Sequence, residues 1–299
     1  MPVQETPVDL GSNPSRLISK AKMEKDKSEI LTKDVYSRQV KREWKRLVKD
    51  SFHNLEFQTT LYFLKKYLQK KGSILDAGGG PGRYAIELAK SGYNVTLLDL
   101  VKNNTDFAKK KIKLAKVQNN IKGVFNGSVT DLSVFPDECF DSVICLGGPL
   151  SHISEEGKRI KAVSELVRVS KKNSFIFISV MSKIGTLSQA PTKWSKEIKV
   201  KQHFQRFISL GEDYKWHGKY YCHFFTLEEM KSLLSKFKNV EILEAVGLEG
   251  LGSASPEGIN KLSQDRKAWK NWINAHYMLC THPSVVDMSL HMLLICRKT

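Results

Sequence analysis

The sequence lacks the patterns that would assign its 299 residues to a membrane or an exported class. It contains no apolar run near the 18 residues that a membrane-spanning helix needs. Its first residues, MPVQETPVDLGSNPS, do not have the basic segment followed by an apolar one that is typical of a signal peptide. We therefore expect a protein without a membrane span that acts in the cytoplasm.

Cysteine is scarce and follows no pattern. The chain has five cysteines, and none of them forms a CxxC or another spacing that is typical of metal ligands. An odd, dispersed set in an intracellular chain is explained most simply by reduced thiols in the core. We predict no metal site, and we find no internal repeat or low-complexity segment.

Acidic residues are few relative to basic ones. There are 31 Asp and Glu against 48 Lys and Arg, which gives a formal net charge of +17. Such an excess is found in proteins that bind nucleic acids or anionic surfaces. The lysines are spread along the chain, however, in runs such as KKKIKLAK at 109–116, and runs of this kind usually coat solvated helix faces. Both interpretations stay open at this point.

From residue 72 onward, apolar segments alternate with segments of helical periodicity. The pattern predicts strands at 74–75, 94–98, 123–125, 140–146 and 174–181, with helices at 83–91, 105–118 and 155–169. This alternation predicts parallel β-α units in a doubly wound α/β sheet. Because the crossovers are right-handed, the C-terminal ends of the strands, and the ligand with them, should share one edge.

The other segments predict additions to this sheet. Residues 1–34 are polar and predict a flexible arm, and residues 35–71 show the apolar spacing of helices that precede the sheet. Two stretches after the fifth and sixth strands, 182–225 and 251–286, have no clear period and predict inserts, the second with a helix near 261–278. Thr226, with Glu229 three residues later, has the layout of a capping box and predicts a helix start.

The most informative stretch is DAGGGPG at 76–82, between the first strand and the first helix of the alternation. A glycine-rich turn at this place lets a ligand approach the backbone closely. The dinucleotide pattern G-x-G-x-x-G fails, because the sixth position counted from Gly78 is Arg83. An acid followed by glycines at every second position fits instead: Asp76, Gly78, Gly80 and Gly82.

This motif resembles the first motif of class I S-adenosylmethionine-dependent methyltransferases. ILDAGGGPGRYA at 74–85 and LGGPLSHI at 146–153 are similar to a bacterial and archaeal group that acts mostly on small molecules. The resemblance covers roughly residues 72–181. It implies a methyltransferase with a seven-stranded Rossmann-like sheet whose last strand is antiparallel. It also implies S-adenosylmethionine as the cofactor and S-adenosylhomocysteine as the product.

The resemblance also assigns cofactor contacts. Asp99 ends the second strand, where relatives carry an acid that accepts hydrogen bonds from both ribose hydroxyls. Asp76 would bind loop N–H groups or face the methionine amine. The three glycines of the motif would line the methionine: Gly78, Gly80 and Gly82.

The third and fourth strand ends complete the predicted cofactor site. Many relatives have an Asp for the adenine amine where this chain has Ser128, which accepts more weakly. The N–H group of Val129 would bond the adenine ring, while Asp131 either replaces the missing acid or is a surface or helix-capping residue. Leu146 ends the fourth strand under the expected sulfonium position.

The acceptor must be held close to the methyl group in a dry site, and a base helps if the acceptor is protonated. His152 follows the fourth strand, where relatives also have a His, and it is either a base or substrate contact, or a structural residue. Residues outside the sheet would supply the pocket walls, although aromatic residues at such positions more often belong to a core. The candidates are Tyr36, Trp44, Tyr220, Tyr221 and His223.

We therefore expect methyl transfer to a small-molecule acceptor through an O, N or S nucleophile, beneath an N-terminal helical lid. An RNA methyltransferase is the alternative, because of the positive charge. Against it, the fourth strand ends in LGGPL and not in the Asn/Asp-Pro-Pro-Tyr/Phe motif of base-amine methyltransferases. No appended RNA-binding domain is visible either. A scaffold that binds the cofactor without catalysis is a third possibility.

Overall fold

The computed structural model describes residues 28–213 and 221–299. Two helices precede the sheet, α1 at Ser28–Arg46 and α2 at Ser51–Tyr67. Residues 28–34, predicted to belong to a flexible arm, are thus the first turns of α1. The sequence pattern missed them because the buried residues of these turns, Ser28 and Thr32, are polar. The rest of the predicted arm, residues 1–27, lies outside the described residues.

The predicted alternation of strands and helices is confirmed between residues 73 and 181. It consists of β1 Ser73–Ala77, α3 Arg83–Lys90, β2 Asn94–Asp99, α4 Lys102–Ala115, β3 Ile121–Asn126, β4 Phe140–Cys145, α5 Glu156–Val169 and β5 Ser170–Met181. The second half of the chain contributes α6 Lys183–Lys193, α7 Ser195–Ile198, α8 Lys201–Leu210, β6 Glu212–Asp213, β7 Cys222–His223, α9 Leu227–Ser235, β8 Val240–Gly247, α10 Pro256–Leu262, α11 Arg266–Leu279, α12 Pro283–Met288 and β9 His291–Lys298.

Seven strands form one twisted sheet in the order β3-β2-β1-β4-β5-β9-β8. The pairs from β3 through β5 are parallel, and β9 runs antiparallel between β5 and β8. This order confirms the predicted Rossmann-like class with an antiparallel last strand. The helices α2, α3 and α4 cover one face of the sheet, and α5, α9 and α12 cover the other. The sheet is buried on both faces, as its nearly continuous apolar strands require.

The stretch 182–225, for which the sequence showed no clear period, contains three short helices and the small β6–β7 sheet. Its apolar residues form a cluster of their own, around Phe207 and Phe224. Short helices that pack on one another leave no long apolar stripe, which explains the absent period. The capping box after this stretch is confirmed, because Thr226 Oγ1 accepts the N–H of Glu229 at 3.1 Å.

Within the two described ranges, no helix combines the length and the apolar character that crossing a membrane requires. All five cysteines are free thiols, and four of them are buried. Burial raises the pKa of the thiols, to about 12 for Cys280 and Cys296. These cysteines therefore behave as core residues.

Candidate active site

A cavity lies at the C-terminal edge of the sheet, where the ends of β1, β2 and β4 meet the inner side of α1. Such an edge is where ligands bind in open α/β sheets, because loops diverge there and leave a crevice. The cavity brings together eight of the residues predicted from the sequence: Tyr36, Gly78, Gly80, Asp99, Ser128, Val129, Leu146 and His152.

The glycine loop forms the base of the cavity. Gly78 and Gly80 have positive φ angles of 80° and 55°. A Cβ atom on Gly78 would lie 2.5 Å from Cγ of Pro149, whereas one on Gly80 would meet nothing closer than 4.0 Å. The loop conformation thus favours glycine at both positions, and the backbone of Gly80 faces open space where a ligand can approach.

At two other glycines of the motif, an added Cβ atom would point into the protein interior. A Cβ atom on Gly82 would lie 3.1 Å from Cβ of Ala108 on α4, so Gly82 permits helix packing and does not line the cavity as predicted. Gly79, which the sequence analysis did not single out, does line it. A Cβ atom on Gly79 would lie 2.4 Å from the carboxylate of Asp76. The three consecutive glycines at 78–80 were the sequence feature from which the place of Gly79 in the cavity lining could have been predicted.

Asp99 presents a buried carboxylate at the end of β2, where the sequence predicted it. Its Oδ2 accepts the N–H of Gly80 at 2.8 Å. Its Oδ1 accepts the N–H of Val101 at 2.9 Å and the side-chain amide of Asn104 at 3.0 Å. Burial raises the pKa of Asp99, and these three donors counteract the effect of burial. The carboxylate is therefore held in one orientation against the glycine loop.

Asp76 lies beneath the loop, fully buried, and does not line the cavity. Neither oxygen has a hydrogen-bond partner among the described residues, so the predicted contacts with loop N–H groups are absent. Burial, together with the nearby Asp99, raises the pKa of Asp76 to about 7, against a smaller opposing effect of the Ala85 N–H. Asp76 therefore titrates near neutral pH.

The end of β3 supplies hydroxyl groups and a peptide to the cavity. Ser128 Oγ lies 2.8 Å from Oγ1 of Thr130 and accepts the N–H of Thr130 at 3.3 Å. Thr130 also lines the cavity, although the sequence analysis did not single it out. Asp131 is exposed and accepts the N–H of Ser133 at 3.1 Å, outside the cavity. Of its two predicted roles, the surface one is correct.

His152 and Tyr36 form a pair across the cavity from the glycine loop. His152 Nε2 lies 2.8 Å from the Tyr36 hydroxyl, and His152 Nδ1 lies 3.3 Å from the carbonyl oxygen of Tyr221. A carbonyl can only accept, so Nδ1 carries the proton and Nε2 accepts from the Tyr36 O–H. Burial lowers the pKa of His152 to about 4, which keeps the imidazole neutral at pH 7.

The remaining predicted pocket residues lie away from the cavity. The guanidinium of Arg83 lies over the Trp44 ring at 4.1 Å, and this contact anchors α1 on α3. Tyr221 is buried and contributes its backbone to His152, while His223 bonds Glu229 at 2.5 Å. For these three side chains the pocket prediction was wrong, because they pack between elements. Tyr220 lies outside the described residues.

An ion-pair network that the sequence analysis missed supports the cavity wall beside Gly147. Arg46 lines the cavity and pairs with buried Glu56, with Nη1 to Oε2 at 2.5 Å and Nη2 to Oε1 at 3.1 Å. His291 Nδ1 lies 2.6 Å from Glu249 and 3.7 Å from Glu56. One carboxylate oxygen each of Glu56 and Glu249 and one ring nitrogen of His291 lie within 4.8 Å of one another, a spacing that some metal sites also have. Burial opposes a charge on His291, but the carboxylates of Glu56 and Glu249 outweigh it and raise the pKa of His291.

Comparisons with known proteins agree with this geometry. Residues 74–173 match the family described as a methyltransferase domain. A glycine/sarcosine N-methyltransferase of Aphanothece halophytica is 27% identical over 118 residues, which cover 39% of this chain and 43% of that protein. A ubiquinone biosynthesis O-methyltransferase of Rickettsia akari is 31% identical over 114 residues, which cover 38% and 41%. The chain thus spans less than half the length of these two relatives.

Solved structures show the same fold. A SAM-dependent methyltransferase of Methanosarcina mazei superposes with a TM-score of 0.52 at 20% identity, covering 79% of this chain and 96% of that one. The [4+2]-cyclase SpnF also superposes with a TM-score of 0.52, at 16% identity and 81% coverage of both chains. The resemblance drawn from the glycine loop is confirmed. The fold also occurs in a protein named for a different reaction, so activity must be argued from the site.

Proposed function

We propose that this chain, whose residues 74–173 match the methyltransferase-domain family, transfers a methyl group from S-adenosylmethionine to a small-molecule acceptor. One observation carries the proposal. A single cavity joins the glycine loop and Asp99 on one side to the Tyr36–His152 pair on the other. A cofactor site and a polar group able to contact an acceptor thus share one cavity.

The residues at the sheet edge fit the cofactor. Gly80 has a backbone that is open to the cavity, which suits close approach of the methionine end. Asp99 Oδ2 accepts one hydrogen bond within the chain, which leaves it capacity for a ribose hydroxyl. The backbone of Val129 and the hydroxyls of Ser128 and Thr130 suit the polar edge of an adenine.

When bound, S-adenosylmethionine supplies a methyl group activated by a sulfonium. The task of the chain is then to orient the acceptor and to exclude water. We assign these tasks to α1, which is held over the cavity at several points. Ser28 donates to Ser154 at 2.9 Å, Asn103 donates to the carbonyl of Ser37 at 3.1 Å, and Arg83 donates to the carbonyl of Trp44 at 3.0 Å.

The protonation state of the pair favours an amine acceptor. The Tyr36 O–H donates to the neutral imidazole of His152, so the pair presents uncharged polar groups to an acceptor. With a pKa of about 4, His152 is a weak base and is poorly suited to deprotonating an alcohol. A neutral amine needs no such step, because it attacks with its lone pair and releases its proton only after methylation. The side chain of Thr32, whose buried Oγ1 has no partner within the described ranges, adds a hydroxyl to the wall.

The experiment is a screen with labelled S-adenosylmethionine against matched libraries of small amines, phenols and alcohols, with bulk tRNA as a further acceptor. We expect methylation of amines and no turnover of tRNA. The Asp99→Ala variant is the control, and it should lose turnover of every acceptor. If calorimetry detects no binding of S-adenosylhomocysteine, the proposal is wrong. Binding without turnover of any acceptor would favour a cofactor-binding scaffold instead.

A further inference from the structure

The first turn of α4 carries an unpaired polar atom at the cofactor side of the cavity. Asn104 is 3% exposed and lines the cavity, and its side-chain amide nitrogen donates to Asp99 Oδ1 at 3.0 Å. Its carbonyl oxygen Oδ1 is buried and has no partner in the part of the chain that the structure describes. Buried polar atoms are nearly always hydrogen-bonded, so an unpaired one at a cavity wall indicates a group supplied by a ligand.

The chemistry of the neighbour fixes the orientation of this amide. A carboxylate can only accept, so the NH₂ group of Asn104 must face Asp99 and the oxygen must face away from it. The same amide lies at Gly80, since Nδ2 of Asn104 would be 4.0 Å from a Cβ atom placed there. The unpaired oxygen therefore belongs to the same part of the cavity as the Asp99 carboxylate.

Asp99 has too few open positions to bind a vicinal diol alone. A carboxylate accepts about four hydrogen bonds. Two donors already occupy Oδ1, from Val101 and Asn104, and the Gly80 N–H occupies one position on Oδ2. One position thus remains, on Oδ2, whereas a ribose presents two adjacent hydroxyls.

We propose that Asn104 is a second ribose-binding residue, so that Asp99 accepts from one hydroxyl and Asn104 Oδ1 accepts from the other. This inference rests on the proposed function only in that the cofactor is an adenosyl compound. It differs from the expectation drawn from the sequence, in which Asp99 bonds both hydroxyls. The alternative role of Asn104 is to position Asp99 without touching the ligand.

The two roles are separated by calorimetry with S-adenosylhomocysteine and its 2′-deoxy and 3′-deoxy analogues. We expect Asn104→Ala to weaken binding of S-adenosylhomocysteine about tenfold, the factor for one hydrogen bond. With the analogue that lacks the hydroxyl bound by Asn104, this loss should shrink to within threefold. The loss caused by Asp99→Ala should shrink with the other analogue only. The exposed Asn119→Ala variant, outside the cavity, is the control and should bind all three ligands like the wild type within threefold.

If both variants lose their effect with the same analogue, Asn104 only positions Asp99 and the inference is overturned. It is also overturned if Asn104→Ala binds S-adenosylhomocysteine as tightly as the wild type. Should Asn104→Ala fail to fold in thermal unfolding, Asn104→Leu keeps most of the side-chain volume and removes the same oxygen, so it gives the same comparison. A wild-type protein that binds none of the three ligands would instead refute the proposed function.

Discussion

Gly80 and Gly92 offer a matched pair of substitutions that separates cofactor binding from folding. Both glycines have positive φ angles, 55° and 91°, and a Cβ atom on either would meet no atom closer than 4.0 Å. An L-residue in such a conformation costs about 1–2 kcal/mol, so both Gly→Ala variants should be destabilised to a similar degree. In a chain of this size, each kcal/mol lowers the midpoint of thermal unfolding by about 2–4 °C.

The two variants should differ in ligand binding. The new methyl group at Gly80 would project into the cavity, where the cofactor approaches the loop, whereas Gly92 is exposed beyond the end of α3. We expect Gly80→Ala to weaken binding of S-adenosylhomocysteine at least about tenfold, which corresponds to about 1.4 kcal/mol. Gly92→Ala should bind it like the wild type. Thermal unfolding and calorimetry measure the two effects separately, and equal affinity in both variants would refute a ligand site at Gly80.

Two further predictions concern the buried titratable groups Asp76 and His276, and a third concerns the Tyr36 hydroxyl. Because the pKa of Asp76 is raised to about 7, the folded state holds a proton that the unfolded state releases near pH 4. Wild-type stability should therefore fall relative to Asp76→Asn as the pH rises from 4 to 7, by up to about 4 kcal/mol in urea unfolding, and parallel profiles would contradict this. The pKa of His276, beside Thr59, is lowered to about 4, so stability should fall as the pH drops from 6.5 to 4, by up to about 3 kcal/mol. His276→Gln should flatten that part of the curve, and an unchanged slope would show that His276 does not cause it. Tyr36→Phe removes the hydroxyl bonded to His152 and should lower turnover of the acceptor at least about tenfold while leaving affinity for S-adenosylhomocysteine within threefold. Equal losses in turnover and cofactor affinity would place Tyr36 at the cofactor instead.

The sheet and the cofactor side of the cavity could be predicted because both depend on local patterns. Alternating apolar segments specify parallel β-α units, and glycines at alternate positions specify a turn that a ligand can approach. Asp99 was found because a strand end and a fixed distance from the glycines define its position. Gly82 and Asp76 were placed wrongly because only packing decides which side of a loop a residue faces, and here α4 and the core lie on that side.

The acceptor side could not be predicted equally well because it is assembled from distant segments. The Tyr36–His152 contact joins residues 116 positions apart, and the ion-pair network of Arg46 reaches Glu249 and His291. Nothing in the local sequence around Arg46 distinguishes it from the basic residues that surround it on α1. Trp44 and Tyr221 were chosen as pocket residues because aromatics occur in pockets, but aromatics equally fill the contacts between helices.

The two sides of the cavity also belong to different parts of the chain, and this separation limits what relatives reveal about the acceptor. The family match covers residues 74–173, which include the glycine loop, Asp99 and His152. Tyr36 and the rest of α1 precede it.

Relatives named for amine and for oxygen methylation match less than half of their own length. The side chains that α1 presents to the cavity therefore lie outside the family match, and an acceptor has to be argued from them and not from the relatives' names. The side chains with which α1 lines the cavity are two hydroxyls, two carboxylates, one phenol and one guanidinium: Ser28, Thr32, Glu29, Glu43, Tyr36 and Arg46. The charged groups of this wall are paired within the protein, because Lys33 lies 3.0 Å from Glu29, and Glu43 and Glu56 both pair with the guanidinium of Arg46.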